Sequence, residues 1–109
     1  MYDLITSVVL YDSNYSDIGK YITQYFEENM NQKLVFVDNS EEDKIRGYIN
    51  DIVGINKYDI DYMFSGDNLG YGKGNNLAIN KYVGFVILSK VIFLFAKIKS
   101  SFINSINTG

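Results

Sequence analysis

Hydrophobic positions fall along this chain in short runs whose period changes from one run to the next. Residues 4–11 (LITSVVLY) form a β-branched run without alternation, closed by the polar Asp12-Ser13-Asn14. That pattern predicts a strand buried on both faces, as in a parallel sheet. Ser16 then stands where a helix N-cap is expected. After it, Ile18, Tyr21, Ile22, Tyr25 and Phe26 fall at i, i+3, i+4, i+7 and i+8, one apolar helical stripe with Lys20, Gln24 and Glu28 on the other faces. Residues 29–33 predict a turn, and residues 34–37 a second strand ending at Asp38-Asn39-Ser40. Ser40 with Asp43 three residues later resembles a capping box with a shorter acid. Ile45, Ile49, Ile52 and Val53 mark a second amphipathic helix, with Gly54 as its stop. Residues 58–64 (YDIDYMF) alternate and predict a third strand.

Residues 65–76 (SGDNLGYGKGNN) hold four of the nine glycines and predict a loop, with Leu77-Ala78-Ile79 opening a third helix behind it. Beyond Tyr82 the pattern suggests a strand over residues 83–88 and a helix over 91–102. The chain contains no internal repeat and no linker. The order β-α-β-α-β-loop-α-(β) predicts a three-layer α/β/α, Rossmann-like unit with a mostly parallel sheet. Right-handed crossovers would place helices on both faces. Ligands of such sheets bind outside the carboxyl ends of the strands. Three polar clusters lie there: residues 11–14, 38–40 and 65–76. The fold therefore predicts that they share one rim.

Composition narrows the chemistry. At 109 residues, with 47% hydrophobic and 21% charged side chains, the chain has the size and balance of one ordinary globular domain. It has no Cys and no His, which removes disulfides, thiol and imidazole nucleophiles, and thiolate or imidazole metal ligands. Any metal would need oxygen ligands, as magnesium, manganese and calcium accept. All 13 acids lie between Asp3 and Asp67, so residues 1–80, with 6 basic side chains, carry a net −7, while Lys81, Lys90, Lys97 and Lys99 give the remainder +4. An acidic main body argues against nucleic acid as a partner. The N-terminus lacks the basic region of a signal peptide. The longest apolar stretch, residues 83–98, is interrupted by Ser89, Lys90 and Lys97, so it predicts no transmembrane span. A cytoplasmic location is the expectation, with peripheral membrane contact through the basic apolar tail as the alternative to simple packing.

Several residues invite a chemical reading beside a plain one. Gly70, Gly72 and Gly74 are spaced G-x-G-x-G, which matches neither a phosphate P-loop nor a dinucleotide fingerprint. The segment is either a flexible connector or a place of close backbone approach to a ligand. Asn75 and Asn76 would cap the helix behind it. Asp38 at a strand end could accept the imide N–H of uracil or thymine, or it and Ser40 could cap the next helix. Asp59 and Asp61 share one strand face and so could chelate a metal, but the polar face of an alternating strand is the favoured reading. Lys73 could neutralise a phosphate or simply solubilise its loop. The ten tyrosines, placed at helical and strand spacing, are mostly core-edge residues.

Taken together these residues resemble the N-terminal half of a family-2 glycosyltransferase of the GT-A fold, in its rhamnosyltransferase-like branch. Val8-Val9-Leu10-Tyr11-Asp12 resembles that family's first strand, V-x-L-Y-N. Val37-Asp38-Asn39-Ser40 resembles its V-D-N-S/G motif. Residues 68–79 (NLGYGKGNNLAI) resemble N-x-G-[FY]-[GA]-x-G-N-N-x-G-[IL]. The resemblance covers residues 4–82 and implies a nucleotide-diphosphate-sugar donor such as UDP-sugar or dTDP-rhamnose. It implies that Asp38, with Asn39 and Ser40, holds the pyrimidine and that Tyr11 flanks it. The segment carrying Asn68, Gly70, Gly72, Lys73, Gly74, Asn75 and Asn76 would line the ribose, phosphate or sugar. Transfer would invert the sugar, and polysaccharide biosynthesis in a bacterium is the setting the resemblance suggests.

The family's metal-binding D-x-D follows the glycine segment, where this chain reads VGFVILSK at 83–90 without a carboxylate. Magnesium or manganese, expected for the intact family, therefore lacks its ligands, and a catalytic base is missing as well. Residues 83–109 read as a divergent apolar basic segment of the same domain, as an early stop or frameshift would produce. The expectation is a donor-binding half with little or no activity alone. The alternative is a non-enzymatic domain that forms a homodimer through its C-terminal apolar segment.

Overall fold

A computed structural model describes residues 2–28, 31–67, 69–89 and 92–97. Along the chain run β1 (Leu4–Leu10), α1 (Tyr15–Tyr25), β2 (Gln32–Asp38), α2 (Arg46–Asn56), β3 (Ile60–Phe64), α3 (Gly70–Ser89) and β4 (Ile92–Lys97). The strands form one sheet in the order β3-β2-β1-β4, every neighbouring pair parallel. The expected α/β architecture with a parallel sheet is present.

The missing alternation in β1 and β2 has its cause in their central position. Val8, Leu10, Leu34 and Phe36 face one way and pack with Ile18 and Ile22 of α1 and Ile49 of α2. Ile5, Val35 and Val37 face the other way and pack with Ala78 and Tyr82 of α3. A strand covered by helices on both faces needs apolar residues at every position. The stripe on α1 behaves as expected. Ile18 and Ile22 are buried, while Tyr21, Tyr25 and Phe26 pack around them.

Several boundaries differ from expectation. The N-cap of α1 is Asn14 rather than Ser16, its Oδ1 accepting the Asp17 N–H at 2.8 Å. β2 starts at Gln32, inside the segment read as a turn, because the buried Lys33 finds carboxylate partners in Asp59 and Asp61 there. α2 starts at Arg46 behind Ile45, without a side-chain cap. Ser40 and Asp43 are used elsewhere: Ser40 Oγ accepts the Asp12 N–H, and Asp43 pairs with Arg46. Gly54 does not stop α2, which continues to Asn56 and ends on Lys57 in the left-handed conformation (φ 57°).

The largest correction lies in the glycine segment. Residues 70–76 are not a loop but the first two turns of α3, so Asn75 and Asn76 sit inside the helix rather than capping it. Residues 83–88, expected as a strand, continue α3, and the strand falls at Ile92–Lys97, where a helix was expected. Burial period is uninformative for such continuous apolar runs. Residue 82 falls within α3, and β4 extends the same sheet beside β1. Residues 98–102 of the expected tail helix lie outside the described residues. Among the described residues no helix is long and apolar enough to cross a membrane.

Toward the opposite end of the sheet, Lys33 is the hub of an ionic cluster. Its ammonium, 9% exposed, lies 2.8 Å from Asp59 and 3.4 Å from Asp61, while Lys81 of α3 reaches Asp61 at 3.0 Å. The Tyr2 hydroxyl donates to Asp59 at 2.5 Å. Asp59 and Asp61 do share a side, as their spacing required, but lysines occupy it. Burial alone would lower the Lys33 pKa, yet the hydrogen bond to Asp59 and the charges of Asp61 and Asp59 outweigh it and hold the ammonium above its ordinary value. Burial would raise Asp59, but its bonds to Lys33 and Tyr2 outweigh that and hold it below 3.8.

The pH dependence follows from those directions. Asp59 contributes stability that is complete above about pH 4 and fades as pH falls through its lowered value. Lys33 contributes stability at neutral pH that fades only as pH rises through its raised value. Lys33→Met is expected to cost about 1–2 kcal/mol at pH 7, discounted because Asp59 is half exposed. The same substitution should shrink the acid loss of stability below pH 4. Urea unfolding at pH 7 and pH 3 checks both.

Candidate functional site

A parallel sheet gathers all its carboxyl ends on one edge, and their last carbonyls need donors. At this edge the donors come from the predicted polar clusters. The Asn39 N–H donates to the Leu10 carbonyl at 2.8 Å, joining the ends of β1 and β2. The Ser65 N–H donates to the Asp38 carbonyl at 3.0 Å, joining β2 to β3. The Asn39 Nδ2 donates to the Gly70 carbonyl at 3.0 Å, joining β2 to the start of α3. The three clusters therefore share one rim, as the fold argument required.

The turn after β2 is built around Asp38, which is fully buried. Its Oδ1 accepts the Ser40 N–H at 3.0 Å, an Asx turn. Its Oδ2 accepts the Tyr62 hydroxyl at 2.5 Å. Neither Asp38 nor Ser40 caps α2, which starts six residues beyond Ser40. Ser40, 5% exposed, instead uses its hydroxyl oxygen to accept the Asp12 N–H at 2.8 Å. That contact holds Asp12 in the left-handed conformation (φ 48°). Burial, followed by the bond to Asp38, pushes the Tyr62 hydroxyl far above its ordinary pKa, so it is a donor at any physiological pH.

The glycine segment divides into two roles. Gly70 has φ 78°, a backbone conformation that glycine adopts without strain, and it turns the chain into α3. Gly72 and Lys73 are exposed in the first turn, where helix N–H groups lack helical partners. Gly74 faces the sheet. A Cβ there would stand 3.1 Å from Val9 Cγ2 and 3.1 Å from Asn39 Nδ2, so glycine lets α3 approach β1 closely. Asn75, 5% exposed, accepts the Ser7 hydroxyl at 2.8 Å across the helix–sheet contact. Asn76 is exposed, and Asn68 lies outside the described residues.

On the α1–α2 side of the rim lies a cleft of about 440 Å³. Its walls are residues 12–15 after β1, residues 40–42 after β2, and Lys44 and Ile45. Asp12, Glu41 and Glu42 against Lys44 make it acidic. Ser13 Oγ is buried without a hydrogen-bond partner among the described residues. Tyr11, 50% exposed, projects beside the cleft rather than lining it. Among the described residues no group of three or more acids could hold a metal ion. With Asp59 and Asp61 engaged by lysines, the side chains described do not fit magnesium or manganese.

Sequence reasoning missed Tyr62 and Ser65. Tyr62 shares the parity of Ile60 on β3 and packs with Phe36 on the same face as Asp38, a relation visible only once the β2–β3 register is known. The Ser65 hydroxyl lies 2.6 Å from the Asp67 carbonyl and 3.0 Å from Asn39 Oδ1, so it ties the turn after β3 to the turn after β2.

Asn75 is expected to act through packing. Asn75→Ala should cost about 1–3 kcal/mol, because it leaves the buried Ser7 hydroxyl without an acceptor. Ser7→Ala added to Asn75→Ala should cost less than it does alone. A double-mutant cycle by urea unfolding measures the difference, and strict additivity would remove the contact from the account. No family model, curated protein or solved structure matches the chain.

Proposed function

We propose that this chain is a donor-binding domain of glycosyltransferase type, taking the pyrimidine and diphosphate of a UDP- or dTDP-sugar at the carboxyl edge of its sheet. The observation that carries this reading is the shared rim. The three motif segments, which lie far apart in sequence, are hydrogen-bonded to one another beside a 440 Å³ cleft. Ser13 Oγ, behind that wall, has no hydrogen-bond partner among the described residues. The first turn of α3 presents the positive end of its helix and the exposed Lys73 to an anion.

Electrostatics supports a division between the parts. The cleft carries more acid than base, so it suits a neutral base or ribose and repels phosphate. The diphosphate belongs toward α3 and Lys73. Departure of a nucleoside diphosphate needs a cation or basic groups to take up its charge. The only basic side chain among the rim residues proposed to face the diphosphate is Lys73. We therefore read the chain as a binder with little or no transferase activity alone.

A second reading has its own support. Among the described residues β3 stands at one edge of the sheet with a single strand neighbour, and its residues are partly exposed throughout. An open edge invites pairing with a second chain. On that reading the domain derives from a glycosyltransferase but serves to self-associate.

Calorimetric titration separates the two. UDP and dTDP are expected to bind saturably with a dissociation constant of about 1 mM or lower. CDP should bind about tenfold more weakly, because cytosine presents an acceptor where uracil presents its imide donor. Asp38→Asn, which keeps one oxygen for the Ser40 turn, should abolish the discrimination. Flat titrations together with a stable dimer in sedimentation would favour the second reading.

A further inference from the structure

β4 delivers the chain to the rim. It runs parallel to β1, and its last residue, Lys97, is the register partner of Val9. Asp12, in the cleft wall, stands three residues beyond Val9, a contour of about 10 Å. Residues 98–109 (IKSSFINSINTG) come next in the chain and span about 40 Å at full extension. They start beside the cleft with length enough to cross it. They carry Lys99, the apolar Ile98, Phe102, Ile103 and Ile106, and no acid. Two sides of the rim compete for them. On the α1–α2 side the cleft presents the exposed Asp12, Glu41 and Glu42 against Lys44. On the other side α3 begins, with the positive end of its helix and the exposed Lys73. Lys99 is attracted to the first and repelled from the second. Apolar contact points the same way. Three large hydrophobic residues are exposed among the described residues, and two of them stand here, Tyr15 in the cleft wall and Tyr11 beside it. Their rings offer apolar area to the isoleucines and Phe102.

We propose that residues 98–109 fold back across the end of β1 and seat in the α1–α2 cleft of their own chain, with Lys99 among its acids and the apolar side chains on Tyr11 and Tyr15. This seat does not depend on the donor reading above; the exit of the chain from β4 and the sign of the charges carry it. A segment tethered at the rim faces the cleft at an effective concentration of roughly millimolar, so weak contacts suffice to hold it. Any ligand that enters the cleft has to displace the segment, and its affinity falls in proportion to the fraction of time the cleft is free.

The chain has no Cys, so Ser105→Cys provides a single attachment point for a nitroxide label. Amide NMR signals are compared with the label oxidised and reduced. Broadening is expected at residues 12–15 and 40–45, with residues 70–76 at the start of α3 much less affected. Lys99→Glu in the labelled chain should weaken that broadening by about threefold, and Glu42→Lys added to it should restore it. Broadening of residues 70–76 instead, of neither side, or unmoved by Lys99→Glu overturns the seat. Labelled chain is also mixed with unlabelled, isotope-enriched chain. Equal broadening on the unlabelled chain means that a second copy fills the cleft, which overturns the intramolecular seat. Carbodiimide coupling of the unsubstituted protein, read by mass spectrometry, should join Lys99 to Asp12, Glu41 or Glu42 within a monomer. Should the labelled variants fail to unfold cooperatively, the coupling decides alone, and a monomer without that crosslink overturns the seat.

Discussion

The fold depends on two parallel strands, β1 and β2, lying side by side with both faces covered. Parallel pairing from Leu4↔Gln32 to Leu10↔Asp38 has two consequences. It demands apolar residues on both faces, which α1 and α2 cover on one side and α3 on the other. It also brings every strand to its carboxyl end along a single edge, where the last carbonyls must find donors. Asn39 and Ser65 supply them through their backbone N–H groups. The rim is therefore structural before it is functional, and any ligand must fit into a hydrogen-bond network that already closes the sheet.

Charge is distributed to match. The cluster around Lys33 joins the N-terminal segment through Tyr2, β3 through Asp61 and α3 through Lys81. Its acids are neutralised by lysines held in place. At the carboxyl edge, among the described residues that line the cleft, the acids are joined by one base, Lys44. Among the described residues, charge is therefore paired at the amino end of the sheet and left more acidic at its carboxyl edge.

How much of this could be read beforehand depended on whether burial carried a period. β1, the α1 stripe and the strand ending at Asp38 were legible because two-sided burial and one-sided helical burial leave different patterns in Leu4–Leu10 and in Ile18, Ile22 and Phe26. The start of α3 was not. Gly70, Gly72, Gly74, Asn75 and Asn76 are poor helix formers, and local propensity argued for a loop. Tertiary contact overrode it: Gly74 earns its place by fitting against Val9, and Asn75 by taking the Ser7 hydroxyl. The run from residue 83 onward is apolar throughout, so strand and helix were exchanged. Ser40 and Asp43 looked like a cap because their spacing fits one, but each had a nearer demand to meet, from Asp12 and from Arg46. The convergence of the three polar clusters was legible because it needed only the order of elements and the direction of the strands.

Asp38 shows why a recognised motif does not by itself make a site. The sequence offered two roles for it, ring acceptor or helix cap, and the geometry supplies a third, as the acceptor that shapes its own turn. These roles do not exclude one another. Oδ1 is committed to the Ser40 N–H, which fixes the turn and, through Ser40, the position of Asp12 at the cleft wall. Oδ2 accepts the Tyr62 hydroxyl, whose oxygen also lies 3.1 Å from Asp43 Oδ1. A buried carboxylate with one oxygen bonded to backbone and the other to a hydroxyl is oriented and satisfied. Leaving it bare in that buried position would cost the desolvation of a charge with no partner. The turn after β2 therefore depends on both partners of Asp38, and the motif at this strand end is first of all a device that closes the sheet.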